Sequence, residues 1–151
     1  MLQITPAPQL PELPPAPAMG DDPLGQAFLV GPGIGLDPRL RLGLERRGSR
    51  VVAFTRPGPL AQVAVPPEIG VLVVECGGEP DAALAWIRAL RRERPQLPIV
   101  LVNGGLTRRR VALAFRDGIR DYFASPYDPE LLAERVGALL ARGRRRPASD
   151  G

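Results

Sequence analysis

The stretch GVLVVE at residues 70 to 75 decides the fold. Its apolar residues run without alternation, as a strand covered on both faces requires; a strand with one wet face would alternate. A second such run, IVLV at 99 to 102, follows Pro98. Between the two, residues 81 to 92 place Ala83, Leu84, Ile87 and Leu90 at helical spacing, with Trp86 at the edge of that stripe. Strand, helix and strand in this order predict a parallel pair joined by a right-handed crossover.

Working outward, the pattern repeats. Toward the N-terminus, QAFLV at 26 to 30 and RVVAF at 50 to 54 read as strands. The helix between them starts after Asp37, an N-cap followed by Pro38 at the first helical position. It buries Leu40, Leu44 and Leu36, turns Arg39, Arg46 and Arg47 to water, and stops at Gly48. Toward the C-terminus, Thr107 caps a helix running to Asp117, Gly118 ends it, and 121 to 124 form a short fifth strand. Asp128 and Pro129 open a last helix whose Leu131, Leu132, Val136, Leu139 and Leu140 face the sheet. Five strands alternating with helices predict a doubly wound parallel sheet with right-handed crossovers. One crossover departs from the pattern: Pro57, Pro59, Pro66 and Pro67 leave too little unbroken chain between the second and third strands for a normal helix. That helix is expected to be shortened or missing.

The ends differ in composition. Seven prolines fall within residues 1 to 25, together with Glu12, Asp21 and Asp22 and no base, which predicts a disordered acidic arm. The domain is expected over 26 to 142, and a flexible basic tail over 143 to 151. Net charge is +4, and since the arm carries minus three, the remainder carries plus seven. All 20 basic residues are arginine and there is no histidine, so lysine amines and imidazole bases are excluded from any mechanism. The single cysteine, Cys76, permits no intrachain disulfide and, without histidine, the usual nitrogen and sulfur metal sites cannot be assembled. No apolar stretch is long enough to span a bilayer. A cytoplasmic protein with no cofactor and no metal is expected.

In its second half the chain resembles the receiver domain of bacterial two-component response regulators. GVLVVE at 70 to 75 is similar to the receiver strand that ends in the phosphoacceptor aspartate, and LPIVLVNG at 97 to 104 to the strand that ends in a hydroxyl residue. DGIRDYFASPYDPELLAERVGALLAR at 117 to 142 resembles the receiver run through Asp-Asp-Tyr and Lys-Pro to the final helix. The resemblance is strong over 70 to 142, moderate over 26 to 54 and weak between, and it implies the strand order 2-1-3-4-5. It assigns the magnesium-holding acidic pair to Gly31 and Pro32, the phosphoacceptor to Glu75, the hydroxyl to Asn103 and the conserved cation to Ser125. None of these residues supplies the chemistry that its position would require.

The resemblance therefore implies a degenerate receiver: a non-phosphorylatable pseudo-receiver without catalysis, recognising another signalling protein. Glu75 is expected to satisfy backbone N–H groups of Gly104 or Gly105; as an alternative it imitates a phosphorylated aspartate in a constitutively active receiver. The contact surface implied is that of the fourth helix, fifth strand and fifth helix, here with Arg108, Arg109, Arg110, Arg116, Arg120, Tyr122 and Arg135, and it offers a route to a homodimer. Two further readings are weaker. GPGIG at 31 to 35 with Arg56 suggests a dinucleotide turn, but the third glycine of that fingerprint falls on Leu36. RRR at 108 to 110 and RGRRR at 142 to 146 could contact nucleic-acid phosphates, yet no base-reading element accompanies them.

Overall fold

The computed structural model describes residues 25–54, 64–77, 80–102 and 106–145. The N-terminal arm, Arg56 with the segment 55–63, Asn103 with Gly104 and Gly105, and the end of the basic tail at 146–151 lie outside the described residues.

The strands are β1 (Gly25–Val30), β2 (Ser49–Phe54), β3 (Ile69–Glu75), β4 (Ile99–Val102) and β5 (Asp121–Phe123), and the helices α1 (Pro38–Arg46), α2 (Pro80–Glu93), α3 (Arg108–Arg116) and α4 (Pro129–Arg145). The sheet is parallel throughout, in the order β2-β1-β3-β4-β5. Among the described residues no helix joins β2 to β3. The central strands are the most apolar because both of their faces are covered. On one face Ala27, Leu29, Val71, Val73 and Val100 pack against Leu40 and Leu44 of α1 and Leu132, Val136 and Leu140 of α4. On the other Phe28, Leu72, Val74 and Leu101 pack against Ala83, Trp86, Ile87 and Leu90 of α2 and Ala114 of α3. Trp86 thus belongs to the buried stripe rather than to its edge.

The helix starts follow local chemistry. Asp37 accepts from the N–H groups of Arg39 and Leu40, and Thr107 from that of Arg110, so orphan donors at two N-termini find side-chain partners. Two expected core positions are corrected. Leu36 is 69% exposed because it ends a 3-10 turn, Ile34–Leu36, in which Ile34 takes the buried place. Leu131 is 53% exposed, since α4 directs Leu132 and Ala133 toward α1 and the sheet instead. Arg47 is also not simply solvated: it folds back on its helix to Gly43 O and reaches Glu130 of α4 at 3.1 Å. Helix α4 runs on to Arg145, past the expected end at Arg142.

Candidate functional site

In an open parallel sheet the carboxyl ends of the strands converge where the strand order reverses, here between β1 and β3. The pairing of Val30 with Val74 sets Gly31 beside Glu75. Gly31 has φ +153°, and a Cβ built on it would lie 2.4 Å from Glu75 Cβ and 2.7 Å from Glu75 Oε1. The close approach therefore requires glycine, and an acidic side chain at 31 has no room while Glu75 is present.

Glu75 is 8% exposed, one of the few buried polar residues. Its Oε1 accepts two hydrogen bonds of 2.8 Å, from the backbone N–H groups of Gly33 and Ile34, which open the 3-10 turn. A carboxylate held by two backbone donors is a charge-assisted arrangement that offsets the cost of burying it. The expected partners at Gly104 and Gly105 lie outside the described residues; the donors found are on the β1 turn. The same contact bears on the dinucleotide reading, because a pyrophosphate would have to displace Glu75 from the N–H groups of that glycine turn.

The acidic group shapes its neighbours. Burial, and next the Glu75 charge, push the Cys76 thiol up to about 11, so it stays protonated and weakly nucleophilic at neutral pH. Tyr127, which the sequence reading passed over, donates to Asp37 Oδ2 at 2.6 Å and ties the loop before α4 to the cap of α1. Burial and that hydrogen bond raise its phenol well above the ordinary range. Its signal in the sequence was an aromatic residue two positions after Ser125 with a carboxylate cap available on α1.

Of the residues assigned by resemblance, Gly31 and Glu75 come together, Pro32 and Ser125 are exposed on the rim, and Asn103 lies outside the described residues. A magnesium ion requires several hard oxygen ligands in octahedral array. Gly31 and Pro32 bring no side-chain oxygen, and Glu75 Oε1 is shared between two N–H donors. Among the described residues no group of three or more His, Cys, Asp or Glu could hold a metal. The residues present do not fit the ion.

The expected contact surface divides. Arg108, Arg109 and Arg116 are exposed on α3. Arg110 turns to α2, where it pairs with Asp81 at 2.8 Å. Arg135 Nε stands 2.9 Å from Asp121 Oδ2, an ion pair within the surface. Arg120 lines a cleft at the amino ends of the strands and so stands apart from the others. What the arginine pattern did not reveal is the apolar component: Leu113 and Phe115 of α3 are 41% and 44% exposed. Tyr122 is half-buried in a hollow of about 460 Å³ lined also by Leu106, Val111 and Ser125. Asp117 stands at the end of α3 and its side chain pairs with Arg88, Asp121 accepts from the N–H of Tyr122 besides pairing with Arg135, and Asp128 accepts from the N–H of Glu130, so each of these acids is engaged locally.

No family model matches the chain, and no curated protein matches it. Solved structures do. A putative pilus assembly protein (cpaE) from Burkholderia thailandensis is similar at TM-score 0.62 and 22% identity, over 76% of this chain and 96% of that one. A response regulator from Thermotoga maritima is similar at 0.61 and 18%, over 78% and 98%. A response regulator receiver protein from Pseudoalteromonas atlantica reaches 0.66 at 15% identity, over 80% and 99%. At such identities the likeness establishes the fold, that of receiver domains.

Proposed function

We infer that this chain is a receiver-fold signalling module that does not accept a phosphoryl group and acts by binding another protein. The observation that supports it best is the reciprocal fit of Gly31 and Glu75: the glycine is required by the carboxylate, and its Oε1 accepts from the Gly33 and Ile34 N–H groups. Phosphoryl transfer to a receiver carboxylate needs a metal and a cation to offset charge. The positions that would provide them carry Gly31, Pro32 and Ser125. The same hydrogen bonds argue against Glu75 as a mimic of phosphoaspartate, since its oxygen faces the β1 turn. The module works in the cytoplasm without a cofactor, and nucleic acid is not its target.

Binding is assigned to α3, β5 and α4, where α3 carries exposed Phe115 with Arg108, Arg109 and Arg116, and β5 carries half-buried Tyr122. Apolar anchors within a charged rim are the composition of a protein contact. Whether the partner is a second copy or another protein is read by sedimentation of the full chain and by affinity purification from its own cells. Phe115→Ala with Arg109→Glu is expected to abolish the contact, and Glu75→Gln to leave it within about twofold. Loss of partner with Glu75→Gln alone, in a folded protein, would instead assign the charge-mimic function. A second reading places that partner in a pilus-assembly apparatus. It is favoured by the likeness to two solved structures described as pilus-assembly proteins, at 22% and 20% identity.

A further inference from the structure

At the opposite end of the sheet from Glu75, the amino ends of β3 and β4 and the carboxyl ends of α2 and α4 enclose a cleft of about 730 Å³. Its floor is apolar, from half-buried Pro98 and the small exposed edges of the core residues Ile69, Leu97 and Leu139. Every charged residue that lines it is an arginine: Arg94, Arg120 and Arg142. The three differ in role. Arg94 is fixed, its guanidinium donating to the carbonyls of Val65, Pro66, Pro67 and Ile69 at 3.0 to 3.3 Å, so it forms a rigid wall. Arg120 and Arg142 are exposed. The backbone of Arg120 is anchored through its N–H to Ile99 O at 2.7 Å.

Arginines near a helix end are favourable with the helix dipole, which accounts for Arg142 on α4. It does not account for Arg120, which stands in the loop before β5, beyond the end of α3. Two cationic forks over an apolar floor, with no acid among the described lining residues, select a ligand that is both anionic and aliphatic. The volume lies within the range of pockets that enclose small ligands or a few side chains.

We propose that this cleft is a second docking site, which takes an acidic segment of a partner protein: an aliphatic side chain enters the Ile69, Leu97 and Leu139 floor while flanking carboxylates pair with Arg120 and Arg142. The assignment extends the adapter reading, because a module with contact surfaces at both ends of its sheet can bridge two proteins. It rests on that reading only for the partner being a protein. Arginine suits the role better than lysine, since its fork meets a carboxylate with two parallel bonds.

The test uses the full chain, ¹⁵N-labelled, titrated with the peptide DELDLE and read by amide shifts. Saturable shifts are expected at Gly70, Leu97, Arg120, Leu139 and Arg142, and none at Gly33, Ile34 or Leu113. Arg120→Glu with Arg142→Glu is expected to weaken the affinity at least tenfold, and Arg109→Glu on α3 to leave it unchanged. The peptide DESDSE, which keeps the charge and lacks the leucines, is expected to bind several-fold more weakly. Equal affinity for both peptides, an equal loss with Arg109→Glu, or no saturable shift at the cleft overturns the proposal. So does a several-fold gain in affinity when Glu12, Asp21 and Asp22 are neutralised, for then the chain's own acidic leader is the competitor that the cleft serves. The adapter function is read instead from Glu75 and from partner binding at α3, β5 and α4, so loss of the peptide at the cleft with that binding intact is distinguishable from a failure of the adapter function.

Discussion

Replacing Gly31 by alanine isolates the contact on which the site is built. The three atoms nearest to the new Cβ, at 2.4, 2.7 and 3.3 Å, all belong to Glu75. Two costs add. A positive φ with a side chain stores roughly 1–3 kcal/mol of backbone strain, and forcing a methyl group into filled space costs about 1–3 kcal/mol more. Gly31→Ala should therefore lose roughly 2–6 kcal/mol. For a domain of this size that lowers the melting temperature by roughly 10–20 °C. The two costs separate in a double-mutant cycle with Glu75→Gly, which removes all three clashing atoms but leaves φ unchanged. Urea denaturation of the four proteins should give a coupling of about 1–3 kcal/mol, with alanine tolerated better once Glu75 is absent. If Gly31→Ala costs the same with and without Glu75, the two residues are not mutually fitted and the reasoning fails.

Other consequences concern groups near the site and the opposite edge. Removal of the Tyr127 hydroxyl with Tyr127→Phe should cost about 1–2 kcal/mol in urea unfolding, because Asp37 loses a 2.6 Å partner. Cys76 is an acid whose folded pKa is raised from 9.0 to about 11, so the unfolded chain releases its proton first as pH rises. The stability that the buried thiol contributes is thus complete below about pH 9 and lost toward pH 11, by roughly 2 kcal/mol. In a Tyr127→Phe background, which removes the other raised group, Cys76→Ala should flatten the urea midpoint across that window; an unchanged slope would contradict the assignment. Arg94→Lys should destabilise by roughly 1–2 kcal/mol, because one ammonium cannot reach the four carbonyls that the guanidinium serves; a neutral result in thermal melts would refute that role.

Much of the architecture was legible in the sequence because it follows from short-range rules. The unalternating runs at 71 to 74 and 99 to 102 are the interior strands β3 and β4, and Asp37 and Thr107 cap the helices they precede. The doubly wound sheet followed from the alternation of elements, and its order 2-1-3-4-5 from the receiver resemblance. What local pattern could not supply was the direction of individual side chains. Periodicity gives Leu36 and Leu131 as core, but a 3-10 turn and the lie of α4 against α1 expose them. A run of three arginines reads as one surface, yet Arg110 leaves it to meet Asp81 two elements earlier. The partner of Glu75 was within reach: with β1 beside β3, the turn after Val30 must lie next to Glu75. Its carboxylate accordingly finds the donors of that turn.

The central claim is that the carboxylate of Glu75 takes the place of a metal-assisted phosphorylation site instead of forming one. Growing crystals of the full chain with magnesium and beryllium fluoride reads it directly. Density is expected to keep Glu75 Oε1 on the Gly33 and Ile34 N–H groups, with neither ion bound. A beryllofluoride adduct on Glu75 beside an octahedral magnesium ion would contradict the account.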